Sequence, residues 1–364
     1  MRARRFGEKQ MLETLGHAQR YAISRFLTHK PIILTHCLTS KCNCKCKICD
    51  VWRKKYDPYE MKTPEIFRML DEARKLRFAV YLAYGGEPLV RPDAVDVLEH
   101  AHDLGLYTIV ITNGTHLPDK AKEIAKAVDL TWVSLDYYSD YHDELRGSRG
   151  TFGRAIEGIK KLSEEGGRIA INCVLSKLNK DTIKKSAELA RTLHARLAFD
   201  PMEVFPGFNE EYALSHDENR RLFLEILELK RTGYPILNSY EFIKHLVNPT
   251  DYSCAQPKIF INVRENGEIT PFWCRKSVRV IGDLRKQSLG GILHSAPFEK
   301  FAQMADGCNL CRNSTTVEIS LFYSLQRFLI NCFKIPNPIA EFISYYGGLT
   351  LPKIEKNSQN LKNF

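Results

Sequence analysis

From Pro31 to Asp200, short apolar runs alternate with stretches in which apolar residues recur every three or four positions. The runs Ile32–His36, Ala79–Tyr84, Tyr107–Thr112, Leu130–Leu135, Arg168–Leu175 and Arg196–Asp200 read as strands. Amphipathic helices lie between them. One opens Thr63-Pro64-Glu65, with a capping hydroxyl, a proline at the first helical position and an acid in the first turn. It then sets Ile66, Met69, Leu70, Ala73 and Leu76 on one face, and a helix from Phe152 does the same with Ala155, Ile156, Ile159 and Leu162. Repeated strand–helix units predict parallel strands with crossover helices, an α/β fold. Six units fall short of a closed eight-stranded barrel, so an open barrel and a doubly wound sheet both fit. Either one puts chemistry at the carboxyl ends of the strands.

The pattern changes after residue 205. Residues 206–250 read as a helical connection, with Leu222, Ile226 and Leu229 in period. Residues 251–316 form a smaller region with a strand–turn–strand pattern: Ile259–Val263, Asn266-Gly267, Ile269–Phe272. Both ends are amphipathic. Residues 1–30 place Met11, Leu15, Ala18, Ala22 and Phe26 on one face, and residues 317–364 do likewise with Leu321, Phe322, Leu325, Phe328, Leu329, Cys332 and Phe333. Such faces suit packing on the barrel or lying on a membrane surface.

Charge sharpens this choice only partly. The 364-residue chain carries a net charge of +10, and its first thirty residues include Arg2, Arg4, Arg5, Lys9, Arg20, Arg25 and Lys30. That suits an anionic partner, a membrane surface or a phosphorylated substrate, or else a solvated basic arm. No nucleic-acid partner is expected. No apolar run reaches the ~18 residues of a spanning helix. Eleven cysteines without a signal-peptide pattern point to a reducing cytoplasm, where thiols serve metals or catalysis. Peripheral attachment to the inner face of the membrane is a further expectation.

Cys42-x-x-x-Cys46-x-x-Cys49 follows the first strand. Thiolates are soft, anionic ligands suited to iron–sulfur clusters, although the spacing alone would also suit a zinc knuckle. Three thiolates on a four-iron cubane would leave one iron open to another ligand. Further motifs follow in order: Tyr84-Gly85-Gly86-Glu87-Pro88, Val133-Ser134-Leu135-Asp136 and His142-Asp143-Glu144-Leu145-Arg146-Gly147. With the cysteines, they resemble the radical S-adenosylmethionine (SAM) superfamily across residues 31–205.

The resemblance implies a partial (β/α)6 TIM-like barrel with a 4Fe–4S cluster on Cys42, Cys46 and Cys49. The cluster would cleave SAM reductively to a 5′-deoxyadenosyl radical, which abstracts hydrogen from an unactivated C–H bond. Gly85, Gly86 and Glu87 would form the turn whose backbone meets the methionyl amino group, glycine being needed where a side chain would strike the cofactor. Ser134 and Arg146 would hold the methionine carboxylate, the task for which a planar guanidinium is suited. Asn172 would meet the ribose hydroxyls. Ile48, where relatives often carry an aromatic residue, would pack on adenine. Thr112-Asn113-Gly114 is either a strand-end turn or an adenosine contact. Cys37 and Cys44 have the wrong spacing and are set aside as non-ligands.

Cys254, Cys274, Cys308 and Cys311 resemble the twitch module, a shortened SPASM domain, together with Ile259, Gly267, Pro271 and Ile281-Gly282-Asp283-Leu284. That implies a second, auxiliary 4Fe–4S cluster for electron transfer; the same four thiols could instead build a zinc site. A ferredoxin or flavodoxin would supply electrons. The leading substrate expectation is a membrane isoprenoid lipid of archaeal type undergoing C–C bond formation or dehydrogenation, from the basic arm and amphipathic ends. The alternatives are an oxidative maturase that cross-links a ribosomally made peptide, and a small-molecule dehydrogenase. A non-enzymatic iron–sulfur carrier fits poorly with a full set of cofactor motifs.

Overall fold

The computed structural model describes residues 31–53, 58–205, 207–272, 274 and 279–323. The six expected strands form: β1 (Ile33–Thr39), β2 (Val80–Gly85), β3 (Tyr107–Thr112), β4 (Leu130–Ser134), β5 (Ile169–Leu175) and β6 (Arg196–Pro201). Each pairs in parallel with the next, in the order β6-β5-β4-β3-β2-β1. Parallel neighbours require crossovers, which here are α1 (Thr63–Lys75), α2 (Ala94–Asp103), α3 (Leu117–Ala127), α4 (Tyr141–Arg146), α5 (Thr151–Glu164) and α6 (Ile183–Thr192).

Alternation along the strands separates two cores. Leu34, Tyr81, Val110, Val133 and Ile171 pack with the helices, whereas Leu82, Ile109, Leu130, Ala170 and Ala198 pack on the concave face. In α1, Ile66, Met69, Leu70 and Ala73 are buried as their spacing predicts.

The second region is stitched into this sheet. The strand–turn–strand forms as β7 (Phe260–Val263) and β8 (Glu268–Thr270), antiparallel, with Gly267 at φ 86° in the turn. β9 (Gly282–Asp283) continues the hairpin. β7 runs parallel to β1, so that one nine-stranded sheet spans both regions. The physical reason is the edge: an uncovered β1 would leave a row of backbone groups unpaired.

The connection contains α7 (His216–Arg231) and α8 (Tyr240–Val247), then α9 (Gln256–Ile259). A Ser215/Glu218 capping box opens α7, and Phe223, Ile226, Leu227 and Leu229 are buried along it. After β9 come α10 (Leu289–Leu293), α11 (Ala296–Ala305) and α12 (Ser314–Tyr323). Leu321, expected on an amphipathic end, is 1% exposed in the core. The rest of that face, and all of residues 1–30, lie outside the described residues. Among the described residues, no helix is long and apolar enough to cross a membrane.

Candidate active site at the carboxyl ends of the strands

β1 ends at Thr39 and delivers the chain into the loop bearing Cys42, Cys46 and Cys49. Three neighbouring segments grip this loop. The glycine turn after β2 lies against it so closely that a Cβ on Gly85 would fall 2.3 Å from the Thr39 carbonyl oxygen, and one on Gly86 2.2 Å from that of Lys41. The turn's glycines are therefore required by the protein's own backbone, a reason additional to the cofactor collision expected from the motif. Gly86 and Glu87 N–H groups donate to the Thr39 and Lys41 carbonyls, each at 2.8 Å.

The second grip comes from α4. Lys45 N–H donates to the Arg146 carbonyl and Lys47 N–H to that of Leu145, both at 2.9 Å. Gly147, at φ 58°, ends the helix, and a Cβ there would strike the Lys45 carbonyl oxygen at 2.4 Å. The third grip is Asn113, whose Nδ2 donates to Asn43 Oδ1 at 2.7 Å and to Cys44 Sγ at 3.3 Å. Thr112-Asn113-Gly114 therefore holds the loop. Buried Cys44 is engaged by Asn113 in that hold.

Glu87 is fully buried. It accepts from Thr112 Oγ1 at 2.7 Å, Asn113 N–H at 2.6 Å and Leu89 N–H at 3.0 Å. Burial raises its pKa to about 7 against the pull of these hydrogen bonds. Its carboxylate knots β2, β3 and the glycine turn together.

Arg146 has two partners in the site: Nη2 lies 2.8 Å from Asp136 Oδ2, and Nη1 3.9 Å from Cys46 Sγ. Burial works against its charge, but Asp136 and the nearby thiols outweigh burial and push its pKa up. The Arg146 Nε is buried with no partner in the protein. On β5, Asn172 pairs in register with Ser134 on β4, and its Oδ1 is likewise buried without a partner. His142 accepts the Asp136 N–H through Nδ1 at 3.1 Å, which puts its ring proton on buried Nε2. Burial, then Arg146, hold its pKa well below the usual histidine range. Ile48 sits on the cluster loop, where its carbonyl accepts from Asn209 Nδ2 at 3.0 Å. Asp136 and Asn209 were missed as site residues, though Asp136 closes a quoted motif.

The second cysteine group also converges. Cys254, Cys274, Cys308 and Cys311 line one small cavity with Gln256, Phe301 and Met304. No disulfide joins any of the ten described cysteines. Among the described residues, no three His, Cys, Asp or Glu side chains are close enough to hold a single metal ion.

At the carboxyl ends of its strands, this α/β half-barrel thus brings together a loop carrying three thiols, a buried guanidinium N–H and a buried amide oxygen, the last two without partners in the protein. Residues 37–190 match the model of the Radical SAM superfamily, so this part of the chain is a radical SAM domain. It is 32% identical over 173 residues to an AdoMet-dependent heme synthase of Methanosarcina barkeri, covering 46% of this chain and 50% of the relative. It is 31% identical over 170 residues to a PqqA peptide cyclase of Ruegeria pomeroyi, 46% of each. The chain thus spans about half the length of these curated relatives. Its fold is similar to that of Streptococcus suis SuiB bound to S-adenosylmethionine, with a TM-score of 0.66 at 17% identity over 81% of this chain and 72% of that one.

The fold implies one 4Fe–4S cluster and SAM. The donors present fit both. Three thiols share one loop, and the orphaned Arg146 N–H and Asn172 oxygen provide a donor for a carboxylate and an acceptor for a hydroxyl.

Proposed function

We propose that this protein binds a 4Fe–4S cluster on Cys42, Cys46 and Cys49, binds SAM beside it, and uses the pair to oxidise a peptide made on the ribosome. When bound, the cluster and SAM together supply a carbon-centred radical that takes hydrogen from an unactivated C–H bond. The chain's own residues do the positioning. The Gly85–Gly86 backbone would meet the amino group, with Glu87 fixing that turn from behind. Arg146 Nε–H would hold the methionine carboxylate with Ser134, and Asn172 Oδ1 would accept from a ribose hydroxyl. Leu82, Ile109 and Ala198 keep the concave face dry.

The observation that carries the oxidative reading is the four-cysteine cavity beside the barrel. Four thiols lining one site, together with the twitch-like sequence pattern, support an auxiliary cluster there. Four protein thiolates would leave it no site for substrate and restrict it to taking up an electron. A ferredoxin or flavodoxin would reduce the first cluster.

A peptide substrate is supported by the relative named PqqA peptide cyclase and takes precedence over the lipid expectation, which neither relative named above supports. An iron tetrapyrrole is the second reading, because another matched relative is named a heme synthase. Anaerobically reconstituted protein with a reductant should convert SAM to 5′-deoxyadenosine and methionine. Peptides encoded beside its gene should lose hydrogen by mass spectrometry. No SAM cleavage would sink the whole reading; cleavage driven by a tetrapyrrole and by no peptide would select the second.

A further inference from the structure

The two cysteine groups are linked across the barrel mouth by polar contacts on either side of the β5–β6 strand pairing. Cys46 Sγ lies 3.9 Å from Arg146, Arg146 pairs with Asp136 at 2.8 Å, and Asp136 Oδ1 accepts Val174 N–H at 3.0 Å. Val174 on β5 pairs with Asp200 on β6. Asp200 then accepts twice from Ser314, the first residue of α12. The backbone N–H reaches Oδ1 at 2.7 Å, and the hydroxyl reaches Oδ2 at 2.9 Å. One residue earlier, Asn313 Nδ2 donates to Glu203 Oε1 at 2.7 Å. Two residues before that is Cys311, on the wall of the cysteine cavity.

We infer that Asp200, assisted by Glu203, is a positioning residue that fixes Cys311, and with it the second cluster, at a set separation from the radical site. The inference rests on the second-cluster reading above. Its physical basis is threefold. A carboxylate at a helix start satisfies an otherwise orphaned N–H and meets the positive end of the dipole. Hydrogen bonds to an ionised acceptor are the strong ones, and Asp200 makes two. Electron transfer falls exponentially with distance, so a device that fixes the gap between the two centres controls the rate between them. α12 suits this role because it is anchored on other sides as well. Glu318 accepts Ser239 N–H at 2.9 Å, and Ser320 Oγ accepts Ala255 N–H at 3.0 Å, beside Cys254.

The test uses the full chain with one cysteine set removed at a time. In Cys42→Ala/Cys46→Ala/Cys49→Ala protein, all bound iron belongs to the second set. Adding Asp200→Ala there, by loosening the segment that carries Cys311, should speed iron release to a chelator on the order of 10-fold, the low end of what support around a metal ligand contributes, and shift the midpoint potential. Asp200→Asn, which keeps one acceptor oxygen, should fall between. In Cys254→Ala/Cys308→Ala/Cys311→Ala protein, Asp200→Ala should leave release from the first set unchanged. Unchanged release and potential in the first background would overturn the positioning role, and so would equal losses from both sets, which indicate general loosening. A first background that holds no iron at all would remove the second cluster, and this inference with it.

Discussion

Glu87 illustrates how a side chain within a cofactor motif can serve the protein's own scaffold. The motif marks it as a cofactor residue, yet its carboxylate is taken up by Thr112, Asn113 and Leu89 inside the protein. A motif records which residue types recur together and cannot say which way a carboxylate faces. Burial raises the Glu87 pKa from 4.5 to about 7. A raised folded pKa gives stability that is present below pH 4.5 and lost as pH rises through 7. By linkage the swing is about 3 kcal/mol at most. Urea unfolding of metal-free protein should show wild type weakening between pH 5 and 8 in a way that Glu87→Gln does not; parallel profiles would refute the assignment. Arg146 and Asn172 differ in how cleanly they can be tested. Arg146→Ala would strand buried Asp136, so any loss of SAM binding would be mixed with a folding cost of about 3–5 kcal/mol. Asn172 Oδ1 has no partner in the protein, and its removal leaves no protein donor unsatisfied. Asn172→Ala should therefore keep its iron and weaken SAM binding about 10-fold, as read by calorimetry. Unchanged affinity would take Asn172 out of the ribose site.

At the scale of elements, periodicity foresaw what is local. All six barrel strands formed within a few residues of their expected ends, because alternation and flanking turns are properties of a short stretch of chain. The pairing of β7 with β1 could not be read this way. Ile33 and Phe260 are register partners far apart in sequence, and nothing within either strand names the other. Side-chain ties between distant elements are equally silent. Glu72 on α1 accepts the N–H groups of Leu289 and Gly290 at 3.0 and 2.9 Å, which fastens the start of α10 to the barrel's helical layer. Glu72→Ala would leave both donors without their charged acceptor. A loss of about 2 kcal/mol is expected in denaturant unfolding, with the barrel's far-UV signal retained. A change within error would mean that water replaces the carboxylate at no cost.

For the whole molecule, the decisive quantity is how much iron the chain holds and where. The two cysteine groups lie in different parts of one sheet-linked fold, three on the loop after β1 and four around the cavity between the β7–β9 region and α11. That the second group would line one site was legible in the sequence, since a ligand set must be brought together to act. What fills the second was not, because four thiols serve zinc and iron alike. Stoichiometry separates the cases. Reconstituted wild type should bind about eight irons and no zinc, and Cys42→Ala/Cys46→Ala/Cys49→Ala protein about four, as two independent four-iron sites require. SAM cleavage should vanish in that variant, whereas the complementary Cys254→Ala/Cys308→Ala/Cys311→Ala protein should keep about four irons and still cleave SAM in the absence of substrate. Zinc in place of iron in the triple variant would assign the second group a purely structural task. Electrons from the substrate would then have to leave by the first cluster, and the oxidative reading would lose the observation that carries it.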